Sequence, residues 1–118
     1  MALTIYHNPR CSKSRKTLQL ITDAGIEPAV VLYLENAPAA ADILGLAERL
    51  QIPVSGLLRK GESEFKEAAD LPDLADGPAL AHWLSGHPIV LQRPIVIDRD
   101  RNKAVIGRPP ENVLELLS

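Results

Sequence analysis

The chain is poor in the residues that would staple it, hold a metal ion, stack on bases or cross a membrane. One cysteine, Cys11, stands among 118 residues, so no internal disulfide can form and the expected compartment is the cytoplasm. The aromatics are only Tyr6, Tyr33, Phe65 and Trp83, and the formal net charge is −2. A nucleic-acid binder usually brings a basic surface with stacking rings, so no nucleic-acid partner is expected. No apolar run approaches the roughly 20 residues that span a bilayer, and the first residues lack the pattern of a secretory leader. Of the three histidines, His82 and His87 have no cysteine or acidic partner at a ligand spacing, which gives no metal site. The N-terminal stretch also lacks acid, because the first acidic residue is Asp23.

What is present describes one globular domain over residues 1–118, with 46% hydrophobic and 24% charged residues and enough chain to bury a core. Leu3 to Tyr6 reads as a buried strand, broken by His7-Asn8-Pro9 before a helix from about Cys11 to Ala24 that Gly25 terminates. Leu18, Ile21, Thr22 and Ser14 share one face of that helix, with Lys13, Lys16 and Asp23 outward. Val30 to Leu34 is a second strand, so the opening unit is strand, helix, strand and favours a parallel pair.

The middle is helical in pattern. It covers Ala39 to Leu50, a short helix with Pro53 in its first turn ending near Arg59-Lys60 before Gly61, then Glu62 to Ala69 and Pro78 to Ser85. Trp83 is expected as a core anchor, and His87 as a residue that orients the following loop. Ile95 to Asp98 and Lys103 to Ile106 flank a hairpin turn, and Pro109 to Leu117 closes the chain as a helix. The order predicts an α/β, thioredoxin-like fold with a mixed four-stranded sheet and a helical insertion between the second and third strands. By analogy with that fold, Pro94 is a candidate cis proline facing the cysteine.

Cys11 opens the first helix among Arg10, Lys13, Arg15 and Lys16. Helix N–H groups, the helix dipole and nearby cations all stabilise a thiolate, the nucleophilic form of cysteine. Oxyanions are drawn to the same place. With no second cysteine in the chain, any thiol that resolves an intermediate on Cys11 comes from outside.

Four separated blocks carry a resemblance: His7-Asn8-Pro9-Arg10-Cys11-Ser12-Lys13-Ser14-Arg15, Leu57-Leu58-Arg59-Lys60, His87 through Val96, and Gly107-Arg108-Pro109. Together they resemble the glutaredoxin-coupled arsenate reductase family, in its short form without a C-terminal extension. The resemblance implies reduction of arsenate to arsenite through a covalent thiol–arsenate adduct. Cys11 is then the nucleophile and Arg59, Arg93 and Arg108 the cationic cage, a task suited to the planar guanidinium fork. It also implies no bound cofactor, glutathione as co-substrate and glutaredoxin as partner.

Around Cys11 the side-chain roles stay open. His7 is either a charged imidazole beside the thiolate or a loop residue bonded to backbone. The Ser14 hydroxyl reaches either the sulfur or the local backbone, while Asn8 shapes the loop. Two other activities remain compatible with the same blocks: a thiol-based redox regulator of the Spx type, and a glutathione-linked oxidoreductase acting on another substrate. Spx-type switches use a Cys-x-x-Cys pair, and Ser14 occupies the second position here.

Overall fold

A computed structural model describes residues 2–117. In chain order its elements are β1 (Leu3–Tyr6), α1 (Ser12–Asp23), β2 (Ala29–Val31), α2 (Ala40–Leu50), α3 (Ser63–Lys66), α4 (Gly77–Ser85), β3 (Ile95–Asp98), β4 (Lys103–Ile106) and α5 (Leu114–Leu117). Short 3₁₀ turns at Val54–Leu57, Pro88–Val90 and Pro110–Val113 connect them. The chain divides into two compact units, one made of the residues up to Tyr33 with those from Arg93 onward, the other of Leu34–Gln92.

The first unit holds the sheet, in the order β2-β1-β3-β4. β1 and β2 run parallel, with Ile5 opposite Val30, whereas β3 is antiparallel to β1 and β4, with Val96 opposite Ile5 and Val105. The fold is thioredoxin-like, and the mixed sheet follows from the two kinds of connection: a helical crossover between β1 and β2, a tight turn between β3 and β4. β3 is central, and every one of its residues is buried, as expected for a strand covered on both faces. Leu3, Ile5 and Val96 pack with Ile21 of α1 and with Val113 and Leu116 near the C-terminus.

α1 stops where Gly25 takes φ +80°. The Gly25 N–H bonds the Thr22 carbonyl and the Ile26 N–H bonds the Ile21 carbonyl, a paired closure that needs the left-handed residue. The buried face of α1 is Ser14, Thr17 and Ile21, so Thr17 takes the place expected of Thr22, which is exposed. β2 is also shorter than expected. It ends at Val31, and Tyr33 turns into the interior with no exposed surface.

The second unit is the helical insertion. α2 packs on α4, and Ile43 and Leu46 are buried there, as are Leu80 and Leu84. The Asp76 carboxylate caps α4 by accepting the Ala79 N–H at 3.1 Å, satisfying an orphan donor of the first turn. Trp83 is an anchor as expected: its Nε1 donates to Asp70 at 3.1 Å, and its ring stacks on His87 with centroids 4.1 Å apart. The helix expected to run to Arg59-Lys60 is only the turn Val54–Leu57, because Leu58 leaves it to bridge Leu91. The Glu62-to-Ala69 helix likewise contracts to Ser63–Lys66.

Candidate active site at the start of the first helix

β1 carries the chain straight into the loop that presents Cys11. Beyond Tyr6 the ladder continues for one more bond, the His7 N–H donating to the Val31 carbonyl at 2.9 Å. The loop then closes on itself, with the Arg10 N–H on Asn8 Oδ1 at 3.0 Å and the Cys11 N–H on the Asn8 carbonyl at 2.9 Å. Asn8 therefore shapes the turn that aims Cys11.

Cys11 is the residue preceding α1, in extended conformation (φ −92°, ψ 121°) and partly exposed. Its sulfur closes no capping hydrogen bond of ordinary geometry, yet donors crowd it closely enough to govern its proton. Burial raises the thiol's pKa; the Ser14 N–H, the Arg93 side chain and the Lys13 N–H outweigh that, and the net shift is downward. The stabilising charge is thus a guanidinium from the segment before β3, the strand next to β1, plus the helix terminus. Lys13 contributes its backbone, not its ammonium group.

The Ser14 hydroxyl is engaged elsewhere. It accepts the Asn8 N–H at 3.0 Å and lies 2.6 Å from His7 Nδ1. A hydroxyl that accepts the one is free to donate its proton to the other, and His7 then takes the neutral tautomer with Nδ1 as acceptor. Burial, reinforced by the Arg15 charge, lowers the His7 pKa, so the imidazole is neutral at pH 7. The ring is bonded to a side chain of the loop, the Ser14 hydroxyl, and not to backbone.

Arg93 and Arg108 reach the same region along β3 and β4. Arg93 precedes Pro94 through a cis peptide, and Arg108 precedes Pro109 through a second one, not expected from the sequence. Arg108 Nη1 donates to the Arg93 carbonyl at 3.4 Å, and the Gly107 N–H bonds the Pro94 carbonyl at 2.9 Å. A Cβ at Gly107 would stand 2.8 Å from Pro94 Cγ and 2.6 Å from Thr17 Oγ1, so only glycine lets these segments approach.

Arg59, the third arginine of the expected cage, belongs to the helical unit. Its N–H is held by the Val90 carbonyl at 2.6 Å, and its Nη1 stands 3.6 Å from Glu62 Oε1, short of a hydrogen bond. Tyr33 is the residue that the sequence reading passed over. It is fully buried in the sheet unit, among the described residues its hydroxyl makes no hydrogen bond of ordinary geometry, and burial raises its pKa with the Arg93 charge opposing in part.

The arrangement can hold a thiolate beside a guanidinium at a helix start, a setting for nucleophilic attack on an electrophilic, negatively charged group. Against known proteins, the sequence model of the ArsC family matches residues 6–116. The chain is 41% identical to an arsenate reductase of Escherichia coli over 115 residues, covering 98% of this chain and 80% of that protein. It is 41% identical to one from Haemophilus influenzae over 118 residues, covering 99% of this chain and all of that one. It is 44% identical over 114 residues to an Escherichia coli protein named only as uncharacterized, covering 96% and 94% of the two chains. Among solved structures, an arsenate reductase from Vibrio cholerae superposes with a TM-score of 0.86 at 40% identity, over 98% of this chain and 97% of that one.

Proposed function

Because the chain belongs to the ArsC family, we propose that it is an arsenate reductase in which Cys11 is the nucleophile and glutathione with glutaredoxin supplies the electrons. The observation that carries the reading is the placing of a partly exposed Cys11 at the start of α1, where the Ser14 N–H and the Arg93 side chain hold its thiol pKa below the ordinary value despite burial. A sulfur nucleophile needs to be ionised, and a tetrahedral oxyanion needs its charge met before an anion can attack it. Arg93 serves both needs, and Arg108, tied to the Arg93 carbonyl, adds a second guanidinium to the same segment.

In this cycle the Cys11 thiolate bonds to arsenic and one arsenate oxygen, protonated, leaves as water. Arsenic is still pentavalent in that adduct. Reduction takes two electrons, one from each of two thiol sulfurs that end joined as a disulfide. Arsenate therefore loses one oxygen as water, takes up the two electrons and leaves as arsenite. The chain has one cysteine, so the thiols that complete the reduction come from glutathione and glutaredoxin.

The test is a coupled assay with glutathione, glutaredoxin, glutathione reductase and NADPH. Wild-type protein gives arsenate-dependent NADPH oxidation, and Cys11→Ser, with the same circular dichroism, gives none. Absence of turnover with folded wild-type protein rejects arsenate as the substrate. Turnover that survives Cys11→Ser rejects the nucleophile.

A further inference from the structure

β4 ends at Ile106, and the chain turns at once around Gly107, the Arg108 N–H donating to the Ile106 carbonyl at 2.9 Å. The outer limb of that turn carries the second guanidinium of the site. Among the described residues the Arg108 side chain makes one hydrogen bond, from Nη1 to the Arg93 carbonyl at 3.4 Å, which is longer than an ordinary N–H···O bond. A side chain so lightly held at its tip takes its place from its backbone.

That backbone is gripped by Asn112, four residues on. Its Nδ2 donates to the Ile106 carbonyl at 3.1 Å and to the Arg108 carbonyl at 3.3 Å, so one amide spans both limbs of the turn. Only the NH2 end of an asparagine can serve two carbonyls, whereas aspartate would meet them with acceptors and alanine with nothing. Asn112 is itself anchored. It lies in the 3₁₀ turn Pro110–Val113 with its N–H on the Pro109 carbonyl at 3.0 Å, beside Val113, which is buried in the core with Leu3, Ile5 and Val96. The hold therefore runs from the core, through one amide, to the base of Arg108.

We infer that Asn112 is a positioning residue of this site: by clamping Ile106 and Arg108 across Gly107 it fixes the base of the Arg108 side chain, and so the place where that guanidinium meets an oxyanion beside Cys11. The inference deepens the reading of Cys11 and its arginines as an oxyanion site and rests on it. Asn112 acts through Arg108, not on the substrate itself. Its effect falls on anion binding and spares the thiol, since the groups acting on the Cys11 sulfur are the Ser14 and Lys13 N–H groups and the Arg93 side chain.

The test is alkylation of Cys11 by iodoacetamide in rising arsenate, with no thiol reductant present. Arsenate is expected to protect the wild-type cysteine. Asn112→Ala is expected to raise the half-protecting concentration by about three- to tenfold, the span that one or two ordinary hydrogen bonds command, while the rate without arsenate stays at its wild-type value. Asn112→Asp fills the same space without a donor and is expected to lose at least as much protection. In an Arg108→Ala background Asn112→Ala is expected to add nothing, because its route to the anion is gone. A protection curve unmoved by either substitution overturns the inference, as does a shift that persists in full without Arg108.

Arginine side-chain NMR gives a readout that needs no anion. In protein carrying 15N-labelled arginine the Arg108 Nε–H signal, identified by its loss in Arg108→Ala, is expected to become more mobile on the nanosecond scale in Asn112→Ala. The Arg101 Nε–H, bonded to Asp98 at 2.6 Å, is expected to keep its wild-type order. An Arg108 signal as ordered as in wild type overturns the inference. If arsenate leaves the wild-type cysteine unprotected, the reading of an arsenate site falls, and the Arg108 signal then decides by itself whether Asn112 holds the guanidinium.

Discussion

The two ends of the four-stranded sheet each bury polar groups, and they do so in contrasting ways. Where β3 meets its hairpin, Asp98 is fully buried. One carboxylate oxygen accepts the Asp100 and Arg101 N–H groups at 3.0 and 3.2 Å, the other the Arg101 Nε at 2.6 Å. Arg101 goes on to the Leu116 carbonyl, and the Ala2 N–H to the Asp100 carboxylate at 3.0 Å. At the opposite end, past Tyr6 and before Ile95, Arg93 and the helix N–H groups act on a sulfur that closes no capping bond, and among the described residues the Tyr33 hydroxyl closes no hydrogen bond of ordinary geometry. Charge matched by partners ties a hairpin down. Donors gathered around a reactive sulfur are the mark of a site prepared for an anion.

The sharpest way to break that contrast is Arg93→Ala. If the open end serves chemistry, removing its guanidinium lowers kcat/KM for the oxyanion by about two to three orders of magnitude, equivalent to about 3–4 kcal/mol of transition-state stabilisation. The same change raises the Cys11 thiol midpoint while thermal stability stays near wild type. Steady-state kinetics beside a melting curve reads both. A variant that unfolds readily yet turns over normally would put Arg93 in the same class as Arg101.

Asp98→Asn is the converse. It deletes the acceptor of a buried, charge-assisted network, and about 2 kcal/mol of stability is expected to go with it, Arg101 being partly exposed and able to find water. Activity per folded molecule stays unchanged. Its acid dependence sharpens the point. The Arg101 side chain holds the Asp98 pKa below the ordinary carboxylate value despite burial, with the Arg101 and Asp100 N–H groups assisting. Stability from this group is therefore full above the unfolded carboxylate pKa and is lost as pH falls through the lower folded value. Urea titrations of wild type and Asp98→Asn should accordingly converge as the solution is acidified.

Much of this was legible from residue order. β1, β3 and β4 appear at the bounds read from Leu3-Tyr6, Ile95-Asp98 and Lys103-Ile106, because short β-branched or apolar runs between turn residues have few other fates. Cys11 at the helix start, and Arg93 and Arg108 in their blocks, were legible too. Tyr33 was not, since its place depends on which strand β2 pairs with and in which register, and composition carries neither. The exchange of Thr22 for Thr17 on the buried face of α1 reflects a stripe centred on Ser14 and Ile21, whose edge Thr22 just misses. The direction of the Ser14 hydroxyl needed coordinates, because its partners, the Asn8 N–H and His7 Nδ1, lie six and seven residues upstream in the loop before the helix.

Ser14→Ala is the mildest and the most discriminating of these changes, since Ser14 belongs to the open end by position and resembles the closed end in its bonding. Its Oγ accepts the Asn8 N–H and lies 2.6 Å from His7 Nδ1, whereas Cys11 is served by the Ser14 main-chain N–H. Alanine keeps that N–H. The substitution therefore leaves two buried polar groups of the loop short of a partner, at about 1–2 kcal/mol, while the pH profile of Cys11 alkylation stays where it is in wild type. A profile displaced to higher pH with stability unchanged would mean that the hydroxyl faces the sulfur in solution. The loop would then be part of the charge-holding machinery, and the division between a matched end and an open end would run through Ser14.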